Sequence, residues 1–382
     1  MTRRVLFYVQ HLLGVGHVKR AEILAGAMQE AGLEVTVALG GTPLPEAPFR
    51  GVSTVQLPVA AIANADFSTL LGAEGRPVDD AWKANRTAAL LRLYQWVDPD
   101  VLLVELFPFG RRQFRFELLP LLDVARRSNR RVACSVRDIL VAAKKPGQDA
   151  ETADLVRRHF DAVLVHGDPA VIPFEATFGE AARIYDLIRY TGYVTGPLTD
   201  AEARGGHGEV LVSAGGGAVG GSLLVTAMKA RVLTPLADRT WRFLAGPNCP
   251  DEVFARVSAL AGAGMIVERF RDDFRGRLRV AALSISQGGY NSTVDVLCAN
   301  VPAVLVPYET KGETEQRLRA EVLARRGLVS VVPAAELSPA RLAAGIADAL
   351  ASPSRAPRDI DFAGAATTAA MVGELAGRRK RW

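Results

Sequence analysis

Residues 5–39 read VLFYVQHLLGVGHVKRAEILAGAMQEAGLEVTVAL. Val5 to Val9 is an unbroken apolar run of strand length. The glycine-bearing loop Leu13-Gly14-Val15-Gly16-His17 follows it. Val18, Ala21, Leu24, Ala25 and Met28 then recur at helical spacing, up to a stop at Gly32. Leu33–Leu39 is a second apolar strand. Strand, helix and strand of these lengths make a βαβ unit, which implies a parallel sheet.

Working outward, the sequence predicts further strands at Val101–Glu105, Val132–Val136 and Ala162–Val165, with helical stretches between them. Residues 42–90 read as an irregular, turn-rich insertion. Residues 196–208, GPLTDAEARGGHG, read as a linker. The pattern then restarts. Glu209–Ser213 is a strand, Ala214–Gly221 a glycine loop and Ser222–Leu233 a helix. Strands follow at Trp241–Ala245, Met265–Glu268, Ala282–Ser286, Ala303–Val306 and Val329–Val332. The expectation is an α/β chain of two doubly wound, Rossmann-like lobes with a cleft between them. The N-terminal lobe covers 1–195 and the C-terminal lobe 209–382, with the last helix able to pack back on the first lobe.

Bulk properties narrow the function. A chain of 382 residues is long enough for two domains. Its 49% apolar and 23% charged composition is that of a globular enzyme. The net charge, 46 − 41 = +5, suits an anionic ligand or a membrane surface but is too weak to argue for nucleic acid. Cys134, Cys249 and Cys298 are far apart, which supports neither a disulfide framework nor a zinc site and points to reduced cytosol. Val210–Met228 is uncharged and approaches span length, but its five glycines rule out a transmembrane helix.

Two glycine loops invite comparison with nucleotide sites. Gly215-Gly216-Gly217-Ala218-Val219-Gly220 fits GxGxxG between a strand and a helix. Such a loop either cradles phosphate or simply packs a strand on a helix. A nicotinamide dehydrogenase is excluded, because it needs an acidic residue at the end of the next strand. Those strands end Leu39-Gly40-Gly41 and Leu244-Ala245-Gly246, and Lys19 stands at the third glycine position of the first loop.

The richest stretch is 284–320, SISQGGYNSTVDVLCANVPAVLVPYETKGETEQRLRA. A strand ends at Ser286, Gln287-Gly288-Gly289 turns the chain, and a helix runs from about Asn291 to Ala299. Its N-terminus is an anion site suited to a diphosphate. Asp295 lies one turn in, placed to accept from ribose hydroxyls. A strand from Val301-Pro302 ends at Pro307-Tyr308, and a polar loop with Lys311, Glu315 and Gln316 follows.

This stretch resembles the donor-binding signature of the MurG-like glycosyltransferases, family 28, at Gly288, Gly289, Asp295, Pro302, Pro307 and Glu315-Gln316. The closer likeness is to an uncharacterised group of predicted bacterial glycosyltransferases. The resemblance implies a GT-B fold in which Gly288 and Gly289 meet the diphosphate of a UDP-sugar. It implies that Asp295 holds the ribose and that Glu315 and Gln316 meet the sugar. Val267–Asp273 is similar to the segment whose backbone contacts uracil, which puts Phe270 and Arg271 beside the base. Gly14-Val15-Gly16-His17-Val18 is similar to the family's first glycine loop, on the acceptor side, where 42–90 would also lie. Asp295 stands where glutamate is usual, and Glu315 replaces a glutamine. The acceptor-side loops do not match MurG, so the peptidoglycan reaction is not implied.

An inverting transfer needs a base for the acceptor hydroxyl and stabilisation of the leaving UDP. His17 suits the first task, since an unperturbed histidine titrates near 6.5; the other reading is a helix cap or phosphate ligand. His11 is a nearby competitor. Glu105 and Asp138 are carboxylates that either orient the base or pair with Arg137, Arg111 or Arg112. Arg137 joins Gly14 and Gly16 as an acceptor-side residue. Lys311 either assists departure or is a solvated loop lysine. Asp79-Asp80 and Asp272-Asp273 read as surface pairs, and no metal and no cofactor is expected.

The sequence therefore predicts a cytoplasmic UDP-sugar glycosyltransferase acting on a lipid-linked or small-molecule acceptor. A UDP-N-acetylglucosamine 2-epimerase and a non-catalytic nucleotide-sugar-binding protein are the alternatives. The tail Arg378-Arg379-Lys380-Arg381-Trp382 allows peripheral membrane contact.

Overall fold

A computed structural model describes residues 2–12, 16–43, 49–62, 69–141, 145–196, 205–217, 219–309, 314–352 and 360–377. The chain divides into two compact units. Unit 1 is Met1–Thr195 with Asp361–Trp382, and unit 2 is Gly196–Ile360.

Unit 1 opens with β1 (Arg4–Val9), α1 (Gly16–Glu30) and β2 (Glu34–Leu39). β3 (Ser53–Gln56), the short hairpin of β4 (Ala61–Ile62) and β5 (Leu70–Leu71), and α2 (Asp80–Val97) follow. It continues through β6 (Val101–Glu105), α3 (Arg115–Arg127), β7 (Arg131–Arg137), α4 (Gln148–His159), β8 (Ala162–His166) and β9 (Ile188–Tyr190). The sheet order is β3-β2-β1-β6-β7-β8-β9, parallel throughout. Leu6 and Tyr8 enter one core, Val5, Phe7 and Val9 the other, so the strand's period of two serves two covered faces. The order reverses between β1 and β6, and their C-terminal ends flank the crevice where such sheets bind ligands.

Residues 42–90 are more regular than the sequence suggests. Asp79 caps α2 by accepting from the Trp82 amide at 2.7 Å. The helix escaped notice because its apolar spacing begins only at Leu90, and its earlier inward position is Arg86, which is fully buried. Arg86 Nε donates to Glu117 Oε2 at 2.8 Å and its Nη2 to Gln10 Oε1 at 2.6 Å; Tyr8 Oη donates to Glu117 Oε1 at 2.6 Å. This buried charge ties α2 and α3 to the end of β1.

Unit 2 repeats the design. It comprises β10 (Val210–Ser213), α5 (Gly221–Ala230), β11 (Trp241–Leu244), α6 (Asp251–Ala259), β12 (Met265–Glu268) and α7 (Phe274–Val280). It continues with β13 (Leu283–Ser286), α8 (Tyr290–Ala299), β14 (Ala303–Leu305), α9 (Glu315–Arg325), β15 (Ser330–Val331) and α10 (Pro339–Ala351). The parallel order β12-β11-β10-β13-β14-β15 puts the switch between β10 and β13. β14 stops short of the expected Pro307-Tyr308. Last, α11 (Gly364–Gly377) returns to unit 1, where Ala369 and Val372 share a core with Val18, Leu24 and Met28.

Removing one partner of a buried ion pair strands the other. Arg86→Met should therefore destabilise unit 1 by about 3–5 kcal/mol. Denaturant unfolding followed by fluorescence checks this; a change below about 1 kcal/mol would show that Glu117 is accommodated without it.

Candidate active site

β1 ends at Val9, and its neighbour across the switch, β6, ends at Glu105. α1 starts at Gly16, so His17 lies in its first turn. His17 Nδ1 is 2.6 Å from Glu105 Oε1, and Arg20 Nη2 donates to the same oxygen at 2.7 Å. A nitrogen and a carboxylate oxygen this close must share a proton. It is assigned to Nδ1, because Arg20 favours ionised Glu105. Nε2 is then the nitrogen that carries the lone pair. Burial is the largest influence on His17 and takes its pKa down to about 4, with Arg111 and Arg20 acting alongside and Glu105 opposing. Burial alone would raise the Glu105 carboxyl; His17, Arg20 and Arg111 outweigh it and hold it at about 2.

The other unit 1 candidates have separate surroundings. His11 Nε2 donates to the Thr42 carbonyl at 2.9 Å, and its ring lies where a Cβ on Gly41 would stand 2.4 Å away. Gln10 similarly excludes a side chain at Gly40. That is why β2 ends in two glycines rather than an acid. Asp138 is buried, and its Oδ1 accepts the Ile139 amide at 2.9 Å, so Glu105 rather than Asp138 is the carboxylate that meets His17. Arg137 ends β7 and, with Glu105 and Arg20, acts electrostatically on Arg111, whose Nε donates to Gln10 O at 2.8 Å. Gly14 lies outside the described residues, and Gly16 begins α1. Arg20 was missed by the sequence reading. Its signal was a charged residue among the inward positions Val18, Ala21 and Leu24.

At the switch of unit 2, β10 leads into Gly215, Gly216 and Gly217, and β13 into Gln287, Gly288 and Gly289. Gly217 has φ 86° and a Cβ there would sit 2.4 Å from Ala245 O; this glycine packs backbone on backbone. Gly215 and Gly216 are exposed, with nothing nearer than 4.0 Å to their Cβ positions. Gly288 turns at φ 81°, and Gly289 caps α8 without a side chain, which leaves Asn291 in the first turn. The hydroxyls of Ser286 and Thr293 flank this turn, buried and without a hydrogen-bond partner among the described residues. Asp295 Oδ1 pairs with Arg275 Nε at 2.9 Å. Glu315 is buried rather than presented to a sugar, its Oε1 taking Arg319 Nη2 at 2.9 Å; Gln316 Oε1 accepts the Tyr308 amide at 3.0 Å. Lys311 lies outside the described residues.

The segment after β12 is braced by a closed ring of alternating charges. Arg242 joins Glu209 at 2.9 Å and Glu268 at 2.7 Å. Arg271 joins Glu268 at 3.0 Å and grips Asp273 with two nitrogens, at 2.6 and 2.9 Å. Arg277 closes the ring through Asp273 at 2.9 Å and Glu209 at 3.0 Å. Glu209, Arg242 and Arg277 are buried, so the attraction within the ring is offset by lost hydration and its main effect is geometric. It fixes residues 268–273 while the Phe270 ring stays half exposed. Arg271 is thus occupied by its neighbours, and Asp273 is a ring member rather than a solvated surface charge.

Residues 219–370 match the glycosyltransferase family 28 C-terminal domain. The chain carries a family 28 domain. It is similar to the UDP-N-acetylglucosamine–N-acetylmuramyl-(pentapeptide) pyrophosphoryl-undecaprenol N-acetylglucosamine transferase of Agrobacterium fabrum. That likeness is 31% identity over 144 residues, 37% of this chain and 38% of that protein. The Mesorhizobium japonicum transferase of the same name is 32% identical over 143 residues, again 37% and 38%. The match thus spans under two-fifths of the length of these curated relatives. Over whole chains, the fold is similar to that of CalG4, the calicheamicin glycosyltransferase, with TM-score 0.65, 19% identity and full coverage of both chains. MurG of Acinetobacter baumannii gives 0.63 at 16% identity, over 97% of this chain and 99% of that one. The fold is GT-B, two Rossmann-like lobes, and the family 28 domain contains the β13–α8 turn and the charged ring apart from Glu209. Among the described residues, no cluster of three or more His, Cys, Asp or Glu could hold a metal, and no helix is long and apolar enough to cross a membrane.

The lowered His17 pKa carries a stability consequence. The unfolded chain takes up a proton near pH 6.5 and the folded one only near 4, so acidification through that window favours unfolding. Thermal melting of wild type and His17→Gln between pH 7 and about 4 should show the wild type losing more stability; parallel curves would mean that His17 titrates normally.

Proposed function

We propose that this protein is an inverting, metal-independent glycosyltransferase that moves a sugar from a UDP-sugar to a hydroxyl acceptor. The observation that carries the reading is the family 28 domain at 219–370, with its glycine turn and α8 N-terminus at a topological switch point. In this reading the diphosphate lies against Gly288, Gly289 and the first turn of α8, near Gly215, Gly216 and Gln287. Asp295 takes the ribose, the ring-braced segment at Phe270 takes the base, and Gln316 and the Lys311 loop line the sugar side. The helix dipole and its amides offset the charge that grows on the departing UDP. His17 Nε2 takes the acceptor's proton as its oxygen attacks the anomeric carbon and the bond to UDP breaks. Neutral His17, held by Glu105 at 2.6 Å, has the form a base requires.

The acceptor is a lipid-linked or small-molecule hydroxyl. Support comes from the pyrophosphoryl-undecaprenol in the relatives' names and from the calicheamicin enzyme among the structural neighbours. A cytoplasmic enzyme with the tail Arg378–Trp382 would visit anionic membrane weakly, at about 1 kcal/mol per basic residue. Flotation with anionic liposomes at low salt, with and without residues 378–382, tests this; equal binding by both forms rules it out.

UDP release from a panel of UDP-sugars, with lipid extract or soluble acceptors, is the direct assay. His17→Ala should keep UDP affinity and lower turnover by roughly 10²- to 10⁴-fold. Asp295→Ala should weaken UDP by about 1.5–3 kcal/mol in calorimetry. EDTA should leave the rate unchanged. Epimer formation without transfer, or binding without turnover of any donor, would replace this reading, and a strict need for added magnesium or manganese would end the metal-free mechanism.

A further inference from the structure

Glu105 Oε1 serves two donors, His17 Nδ1 at 2.6 Å and Arg20 Nη2 at 2.7 Å. The Arg20 and Glu105 side chains are 2% and 1% exposed, so this is an ion pair in the interior. Glu105 Oε2 is buried and has no hydrogen-bond partner among the described residues. The carboxylate is therefore satisfied on one oxygen only, and Arg20 supplies the full positive charge at that oxygen. α1 makes this possible. His17 and Arg20 are three residues apart and share one helix face, both reaching the end of β6.

A buried carboxylate beside an imidazole has two ways to hold one proton. It can stay ionised and accept from Nδ1–H, or take the proton and leave the imidazole without orientation. A guanidinium on the shared oxygen favours the first. We propose that Arg20 is a positioning residue, which holds Glu105 ionised and aimed so that His17 keeps the Nδ1–H tautomer with Nε2 as its basic nitrogen. The inference rests on the reading of His17 as the base, and it goes further in assigning the orientation of that base to a third residue.

Charged and titratable groups surround His17 from several elements, and near the end of β1 burial lowers the His11 imidazole, with Arg111 acting alongside. From β8, His166 is buried between Ser135 Oγ at 2.7 Å and Thr191 Oγ1 at 2.9 Å, and burial takes its pKa down to about 3. From β7, Cys134 is pushed up by burial and by Glu105. From β1, Tyr8 is pushed up by burial and by Glu117. Arg111, between β6 and α3, is a second cation near the pair. Loss of the Arg20 charge should then raise the His17 pKa, since Arg20 is among the groups that lower it.

The test is an NMR titration of the ¹⁵N-labelled histidine nitrogens in wild type, Arg20→Met and Arg20→Lys, with the pH dependence of kcat measured on the same proteins. Arg20→Met should move the His17 titration, and with it the acidic limb of kcat, to higher pH. It should erode the Nδ1–H signature and lower kcat by about 10- to 100-fold at an unchanged KM for the UDP-sugar. Arg20→Lys, which restores the charge, should return the titration most of the way. Where Arg20→Met does not fold, Arg20→Gln is read in the same way. A His17 titration and tautomer identical in all folded variants would overturn the proposal, even if stability falls. The NMR result stands apart from turnover, so absence of sugar transfer would defeat the functional reading and leave this inference to be decided by the histidine signals.

Discussion

Unit 1 is organised around a single carboxylate oxygen. Glu105 Oε1 lies at the end of β6, where the strand order reverses, and the first turn of α1 brings His17 and Arg20 to it. A buried carboxylate is costly unless its charge is matched. The match here is one permanent cation and one imidazole, and together they fix the first turn of α1 against the end of β6. The second buried pair, Arg86 with Glu117, works beside it. By binding Gln10 and Gly40 it fixes the loop ends that precede and flank the site.

Unit 2 uses the same topology with little side-chain charge at its switch point. Glycines at 215–217 and at 288 and 289 follow β10 and β13 there, and the N-terminus of α8 lies beside the second turn, a fixed dipole of the kind that favours an anion. Charge enters at one side, as the ring from Glu209 through Arg277 that fixes the segment beside Phe270. Each unit thus has its own chemistry at its switch point: a buried ion pair beside an imidazole in unit 1, and glycine turns beside a charged ring in unit 2.

What could be read from sequence follows from range. Strands buried on both faces, the α1 stripe and the two glycine loops depend on neighbours within about 30 residues, the span of one βαβ unit, and their periodicity was visible. Glu105 was legible as a carboxylate at a strand end, but its pairing with His17 spans 88 residues and needs the strand order, which no local pattern supplies. α2 was hidden because Arg86 occupies a core position, and Arg20 was hidden for the same reason. The family resemblance implies that Glu315 meets the sugar; in α9 it instead turns inward to Arg319, one helical turn on. Charged residues used as internal struts are the ones that a polarity pattern assigns to solvent.

In the proposed mechanism sugar leaves UDP in a single displacement driven by His17 as base. The stereochemistry of the product tests it most directly. With an α-configured UDP-sugar and an accepted hydroxyl compound, the anomeric proton of the new glycoside is read by NMR from its coupling constant. A single displacement gives a β-linked product from the first turnover. An α-linked product would contradict it, since retention needs a second displacement or a front-face path in which His17, held by Glu105, has no role as base.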